Sequence, residues 1–305
     1  MQMYKGITSL LKIPPGLAVS VGNFDGFHRG HLELIKSLLA LPDTPGSAVI
    51  TFEPHPQILQ ESSVPFRPLT SLATKCALLD NLGVNHLVVL PSTPALFRLS
   101  AEQFWQELVS VRPRAILEGS DFRFGHERAG TIKDLQVWAT AAKICFQLVP
   151  DVVAQLENEK VTVHSTLIRQ LLVTERVNDA LSLLGHPYEL TGRIAKGFGR
   201  GQGLGFPTAN LTEIETLIPA DGVYQATTEL DGRVYPVALS IGTLPTFGDY
   251  PRQVEAHILD YTSELQSTHL TLKIEKYLRP QIKFSKVADL ITKIEEDIKV
   301  IRKNQ

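Results

Sequence analysis

Two histidines three residues apart, His28 and His31, stand in the stretch Gly22-Asn23-Phe24-Asp25-Gly26-Phe27-His28-Arg29-Gly30-His31. An apolar run of strand length, residues 17–21, precedes it. Apolar residues at helical spacing, Leu32, Leu34, Ile35, Leu38 and Leu39, follow it. The stretch is therefore read as the turn between a strand and a helix. Glycines at 22, 26 and 30 let backbone approach a ligand closely. A helix entrance carries unpaired N–H groups and the positive end of the dipole, which suits a phosphate. His28 and His31 share one face of that entrance. Two imidazoles there would add charge at a cluster of phosphoryl oxygens. No Gly-Lys-Ser/Thr follows, so this is not a Walker loop.

Five further stretches carry reactive residue types. Thr51-Phe52-Glu53-Pro54-His55-Pro56 ends an apolar run, and its two prolines forbid strand pairing and stiffen a loop that presents His55. In Glu118-Gly119-Ser120-Asp121-Phe122-Arg123-Phe124-Gly125, Asp121 can meet a ribose or a polar base edge, and Phe122 or Phe124 can stack on a ring. In Val163-His164-Ser165-Thr166-Leu167-Ile168-Arg169, Ser165 or Thr166 is expected to cap a helix over 167–173. Arg169, one turn in, would make that helix start a second anion site. The run from Gly197 to Leu211 holds Gly197, Gly199, Gly201, Gly203 and Gly205, a loop able to cover phosphates, and then Phe206-Pro207-Thr208-Ala209-Asn210. If that segment is extended, Thr208 and Asn210 face one way. Two neutral oxygens so placed can complete a magnesium shell supplied mainly by nucleotide phosphates and water. In Val254-Glu255-Ala256-His257-Ile258, alternation puts Val254, Ala256 and Ile258 on a core face and Glu255 with His257 on the other.

These residues need elements to hold them. From residue 16 to about 150, strand-length apolar runs (17–21, 48–52, 86–90, 115–117, 145–149) alternate with helical patterns (31–41, 71–82, 101–111, 132–142). That alternation predicts a parallel sheet with helices on both faces. Ligands in such sheets bind beyond the carboxyl ends of the strands, where the motifs of this half fall. A short helix over 177–184, stopped by Gly185 with Pro187 beyond, closes the half. The domain boundary is placed near residue 186. From Tyr188 the pattern becomes short strands between glycine turns (188–194, 222–229, 234–241, 254–261, 268–277), with Asp231-Gly232 as a hairpin turn. This predicts a small antiparallel barrel, closed by an amphipathic helix over 286–302.

Composition sets the outer bounds. The 305 residues suit two domains, and 43% hydrophobic with 20% charged residues is ordinary for a globular protein. A net charge of −2 gives no electrostatic case for nucleic acid or an anionic membrane. Cys76 and Cys145 lie in apolar segments and are expected to be buried thiols in a reducing compartment. No segment reaches the length of a membrane span, and the first residues lack an uninterrupted apolar run, so the cytoplasm is the expected location.

The first stretch resembles the H-x-G-H signature of nucleotidyltransferases with a Rossmann-like core. In its longer form, G-N-F-D-G-x-H-x-G-H, it resembles the bacterial bifunctional riboflavin kinase/FAD synthetase family. Residues 51–56 match that family's T-F-x-P-H-P, and residues 119–125 its G-x-D/N-F-x-F-G, with Arg128 and Gly130 continuing R-x-G. Residues 164–169 match S-S-T-x-I-R with His164 in place of the first serine. Pro207-Thr208-Ala209-Asn210 matches the riboflavin kinase signature P-T-A-N. Ile241-Gly242-Thr243-Leu244-Pro245-Thr246-Phe247 matches I-G-x-x-P-T-F, with the E-x-H of Glu255 about a dozen residues later, where the family places its catalytic Glu. Departures are Glu118 for an apolar or small residue, Ser240 for Asn, Leu244 for Arg, Gln281 for Glu, and residues 263–268 for D-L-Y-G. The resemblance spans about residues 15 to 300.

The resemblance implies an α/β Rossmann-like nucleotidyltransferase domain, FMN adenylyltransferase, over 1–185. It implies a riboflavin kinase-like antiparallel β-barrel domain with a C-terminal helix over 186–305. The barrel would phosphorylate riboflavin with ATP to give FMN, and the first domain would join FMN to AMP, giving FAD and pyrophosphate. Glu255, His28 and His31 would be the catalytic residues. Thr208 and Asn210 would hold Mg2+. Nucleotide and flavin would meet Gly22, Phe24, Asp25, Gly30, His55, Pro56, Asp121, Phe122, Ser165, Thr166, Arg169, Gly197, Gly201, Gly205 and Pro207. The resemblance assigns the helix of Ser165, Thr166 and Arg169 to gripping the departing pyrophosphate. The partners implied are riboflavin, FMN and ATP, with no nucleic acid and no membrane. The other reading is a flavin- and nucleotide-binding protein with one or both sites inactive.

Overall fold

The computed structural model describes residues 1–59, 65–157, 159–195, 203, 205–243 and 251–304. It divides into two compact units, Met1–His164 and Ser165–Gln305. In the first, six strands form one parallel sheet: β1 (Gln2–Lys5), β2 (Ala18–Val21), β3 (Ser47–Glu53), β4 (His86–Pro91), β5 (Ala115–Gly119) and β6 (Cys145–Val149). Their order is β1-β4-β3-β2-β5-β6. The interleaved helices are α1 (Arg29–Leu39), α2 (Leu72–Asn81), α3 (Pro94–Phe97), α4 (Ala101–Ser110) and α5 (Ile132–Ala141).

A parallel sheet must have both faces covered, and the apolar stripes of the helices do this. On one face Leu34, Ile35 and Leu38 of α1 and Leu79 of α2 pack with Val49, Leu87 and Leu117. On the other, Phe104, Trp105 and Leu108 of α4 and Leu135 and Ala139 of α5 pack with Val19, Ile50 and Ile116. The helices start where polar caps allow. The Ser71 hydroxyl accepts from Thr74 N, and Ser100/Gln103 and Thr131/Asp134 form capping boxes. The edge strand β1, and the hairpin of β7 (Val153–Leu156) and β8 (Glu159–Thr162), escape a reading by apolar runs because they are short and carry exposed polar residues.

The expectation of two buried thiols needs correction. Cys145 lies on β6 at the sheet edge and is exposed, while Cys76 is half-buried; both are free.

The second unit opens with α6 (Ser165–Leu172) and α7 (Val177–Leu184). Gly185 ends α7 in the left-handed conformation, φ 78°. Six strands then close an antiparallel barrel: β9 (Tyr188–Ala195), β10 (Ala209–Thr212), β11 (Gly222–Leu230), β12 (Arg233–Gly242), β13 (Gln253–Ile258) and β14 (His269–Arg279), ordered β10-β13-β12-β11-β14-β9. Asp231 and Gly232, both at positive φ (51° and 73°), make the two-residue turn between β11 and β12. The last helix, α8 (Val287–Lys303), is tied to the end of β14 by Arg279. Its Nε lies 3.1 and 3.0 Å from the two carboxylate oxygens of Asp297, and its terminal nitrogen 2.6 Å from Oδ2. The side-chain amide of Asn178 on α7 donates to Tyr277 O at 3.1 Å and accepts from Tyr277 N at 2.8 Å, so α7 packs with the barrel through β14.

Candidate active sites

In the first unit the chain runs β2, β3, β4 towards one edge and then β5, β6 towards the other. The order reverses between β2 and β5, where open α/β sheets bind ligands. The two strands pair at Ala18↔Ala115 and Val19↔Ile116. Further along, the Val21 N–H donates to Glu118 Oε1 at 2.6 Å. Glu118 is 2% exposed, and burial pushes its carboxyl well above the usual carboxylate range, against the opposing pull of the Val21 bond. The acidic departure in the sequence thus has a structural job: it satisfies a strand N–H at the switch point.

β2 delivers the chain into the histidine turn. His28 is the N-cap of α1, and its Nδ1 accepts from His31 N at 3.3 Å. An accepting Nδ1 has no proton, so the neutral ring carries its hydrogen on Nε2, which is then a donor. The two rings stack, centroids 3.7 Å apart and 18° from parallel. Gly30 permits this, since a Cβ there would lie 3.1 Å from the His28 ring. His31 is held neutral: burial lowers its pKa well below the usual histidine value, and His28 and then Lys75 add to the effect. The expectation of two charged imidazoles is therefore corrected at His31, which offers a ring N–H and no charge. Its Nδ1 is buried without a hydrogen-bond partner, as is Asn23 Oδ1.

The expected ligand residues divide. Phe24 was expected to meet a ligand; its ring is instead buried, 1% exposed, and packs edge-on behind His31 at 5.3 Å. Asp25 is buried, and its Oδ1 accepts from Leu69 N and Thr70 N at 2.7 and 3.3 Å, which pins the approach to α2. Gly22 follows β2 directly, with space for a Cβ limited by the Phe24 ring at 3.2 Å. His55 stacks on Phe66 at 4.5 Å, and Pro56 opens a turn of 3-10 helix. Asp121 is exposed after β5. Of the two aromatics beside it, Phe124 is taken by the core against Phe104 and Trp138, while half-buried Phe122 stacks on Phe124 at 5.6 Å. Phe122 remains the candidate ring platform. A sequence string cannot tell which of two alternate phenylalanines turns inward.

Ser165, Thr166 and Arg169 lie on α6, in the second unit. The helix begins at Ser165, so both hydroxyls sit in its first turn instead of preceding it.

In the barrel, three strands bring one row of side chains together. Asn210 of β10 pairs with Glu255 of β13, and Glu255 with Ser240 of β12. Directly paired residues share a face. Val254, Ala256 and Ile258 fill the core, so Asn210, Glu255 and Ser240 stand on the other face. Gln281 joins the row: its Nε2 donates to Ser240 Oγ and to Ile241 O, both at 3.1 Å. Two separate departures in the sequence are thus one hydrogen-bonded pair, 41 residues apart. A Cβ at position 242 would come within 2.8 Å of Gln281, so Gly242 leaves room for it.

His257, two residues beyond Glu255 on the same face, reaches the loop before β10. A carbonyl only accepts, so His257 Nδ1–H donates to Pro207 O, at 2.8 Å. Phe206 meets the same ring edge-on at 5.7 Å. This holds Pro207 and Thr208, which immediately precedes β10. Gly205, at φ 89°, turns the chain into that segment. Gly197 and Gly201 lie outside the described residues. Asp260, the other carboxylate near this strand, is past the end of β13 at positive φ and pairs with Arg302 at 2.7 Å. Among the described residues no cluster of three or more His, Cys, Asp or Glu could hold a metal. A hydroxyl and an amide oxygen, at Thr208 and Asn210, are hard neutral donors that suit Mg2+ only with phosphate and water completing the shell.

Known proteins share both halves. A family model described as FAD synthetase matches residues 11–167, and one described as riboflavin kinase matches residues 184–305. A bifunctional riboflavin kinase/FMN adenylyltransferase of Pseudomonas fluorescens is 30% identical over 312 residues, covering 99% of this chain and 97% of its own. The protein of the same description from Escherichia coli (strain K12) is 31% identical over 310 residues, covering 97% and 96%. A solved structure described as a macrolide-efflux protein from Streptococcus pneumoniae superposes with a TM-score of 0.85 at 28% identity, covering 99% of each chain. Among the described residues no helix is long and apolar enough to cross a membrane. A parallel-sheet nucleotidyltransferase unit followed by a riboflavin kinase barrel defines a class of two-site flavin transferases. Within it, the chain belongs to the bifunctional riboflavin kinase/FMN adenylyltransferase family.

Proposed function

We propose that this chain converts riboflavin to FMN in its barrel and FMN to FAD in its parallel-sheet unit, each with ATP. The observation that carries the reading is the cross-strand row Asn210–Glu255–Ser240 with Gln281 bonded to it. It keeps a carboxylate beside a hard oxygen donor in the half where the sequence departs most from the family.

In the barrel, Glu255 accepts the proton of the flavin's terminal ribityl hydroxyl as that oxygen attacks the γ-phosphorus of ATP. His257 fixes Pro207, and with it Thr208, beside this base. Thr208 and Asn210 would hold Mg2+, which neutralises the ATP phosphates when bound. Pro207, Gly205, Gly201 and Gly197 belong to the loop assigned to nucleotide and flavin.

In the first unit no enzyme nucleophile is needed, because the FMN phosphate itself attacks the α-phosphorus of ATP and displaces pyrophosphate. The Nε2–H of His28 and the N-terminus of α1 stabilise charge growing on the α-phosphoryl oxygens, with His31 as a neutral partner. Gly22, Gly30, His55, Pro56, Asp121 and Phe122 are assigned to the nucleotide and flavin at the ends of β2, β3 and β5. Ser165, Thr166 and Arg169 are assigned to the leaving pyrophosphate. The functional boundary is assigned near residue 186, and the cytoplasm is the assigned location.

The test is incubation of the purified chain with Mg2+, ATP and riboflavin, followed by chromatographic separation of flavins. FMN and then FAD are expected. Absence of FMN overturns the kinase assignment, and no FAD from supplied FMN overturns the other.

A further inference from the structure

One buried charge has no part in the steps above. Lys75, in the first turns of α2, is 3% exposed and is the only lysine or arginine buried to that degree among the described residues. An ammonium taken out of water costs several kcal/mol unless it is well paired. A helix N-terminal turn is also the wrong end for a cation. Packing alone would favour Leu or Met at this position.

Its surroundings say what it does instead. Lys75 Nζ donates to Thr51 Oγ1 at 3.1 Å. Thr51 Oγ1 in turn donates to Asn23 O at 3.4 Å. The relay joins α2, through β3, to the turn that carries His28 and His31. Burial lowers the Lys75 pKa, while Glu53 at the end of β3 and then Asp25 in that turn act in the opposite sense and favour the ammonium; Lys75 in turn acts on His31. The unpartnered Asn23 Oδ1 and His31 Nδ1 belong to the same turn and helix entrance.

We propose that Lys75 is a positioning residue of the adenylyl-transfer site: anchored on Thr51, its ammonium braces the Asn23–Asp25 turn and sets the charge environment of His31. The inference rests on the reading that this unit makes FAD. The titratable groups facing Lys75 and His31 are His28, Asp25, Glu53 and Cys76. Taking away the Lys75 charge makes an imidazolium at His31 less unfavourable, so its pKa rises. FAD synthesis should then lose activity at a higher pH on the acid side.

The experiment compares wild type, Lys75→Met and Thr51→Val in the full chain. It measures FAD formation from FMN and ATP across pH, FMN formation from riboflavin, and the NMR titration of His31. Misplacing a reacting group can cost up to about 10²-fold, so Lys75→Met should lower kcat for FAD by about 10–100-fold, with a smaller change in KM. Its acid limb and the His31 titration should both move to higher pH. FMN formation should be unchanged. Thr51→Val, which keeps the charge and breaks the relay, should lower kcat while leaving the acid limb closer to that of wild type. If Lys75→Met does not fold, the Thr51→Val result decides. Wild-type kcat in Thr51→Val, or an unmoved acid limb in folded Lys75→Met, overturns the inference. Failure of wild type to make FAD overturns the parent reading instead.

Discussion

Replacing Glu255 by Gln tests the kinase assignment most directly. The change keeps side-chain shape and the pairing of β13 with Asn210 and Ser240, and removes only the ability to take a proton. A hydroxyl that keeps its proton is a poor nucleophile. General-base help is worth about 10²–10⁴-fold. At about 1.36 kcal/mol per factor of ten, that is about 2.7–5.4 kcal/mol of barrier. The control is Asp260→Asn, which removes the surface pair with Arg302, side chains 53% and 60% exposed. Exposed pairs contribute under about 1 kcal/mol, so Asp260→Asn should be close to wild type in both stability and rate. The assay follows FMN from riboflavin and, separately, FAD from FMN. Glu255→Gln should lose the first and keep the second, with riboflavin affinity little changed. If a folded Glu255→Gln makes FMN at the wild-type rate while Asp260→Asn does not, the base has been misassigned.

His28→Ala should lower the rate of FAD formation by about 10²–10³-fold with FMN formation intact, since it removes one donor to the developing charge; equal loss of both activities in a steady-state assay would point to misfolding. Glu118, whose carboxyl burial pushes well above the usual carboxylate range, contributes stability that is fully present below the unfolded carboxylate range and lost as pH rises through its raised folded pKa. In denaturant melts, Glu118→Gln should therefore gain on wild type progressively with rising pH, and a constant difference would show that the buried acid does not titrate. His31 works in the opposite sense: its lowered pKa costs stability as pH falls below about 6.5, because only the unfolded ring takes up the proton. A folded His31→Gln variant should resist acid unfolding better than wild type, and matching acid midpoints would refute this. Asp297→Ala leaves Arg279 without its carboxylate partner on α8 and should cost the second unit about 3–5 kcal/mol by chemical denaturation. A cost under about 1 kcal/mol would mean that other contacts dock the helix.

The sequence by itself determined what depends on near neighbours. Alternation placed Val254, Ala256 and Ile258 inside, and so put Glu255 on the opposite face of β13. Apolar spacing located the four longer helices of the first unit. Capping and stop signals located α7, which spans the expected residues 177–184. The Asp231-Gly232 turn fixed one hairpin register. Spacing also placed both histidines at a helix entrance, because three residues is less than one turn.

Tertiary structure decided whatever depends on partners far along the chain. Phe124 looks like a ligand-stacking ring in isolation, and only packing turns it, like the Phe24 ring, into the core. The expected strand 254–261 includes Asp260, yet β13 ends at Ile258 and Arg302, 42 residues on, holds Asp260. Glu118 finds Val21 at a separation of 97 residues, and Gln281 finds Ser240 at 41. Lys75 looks like a solvated helix residue until Thr51 and the turn above α1 enclose it. Periodicity reports which side of an element faces the core. Which charge is desolvated, and so which residue has its protonation reset, is fixed only when distant segments exclude water together.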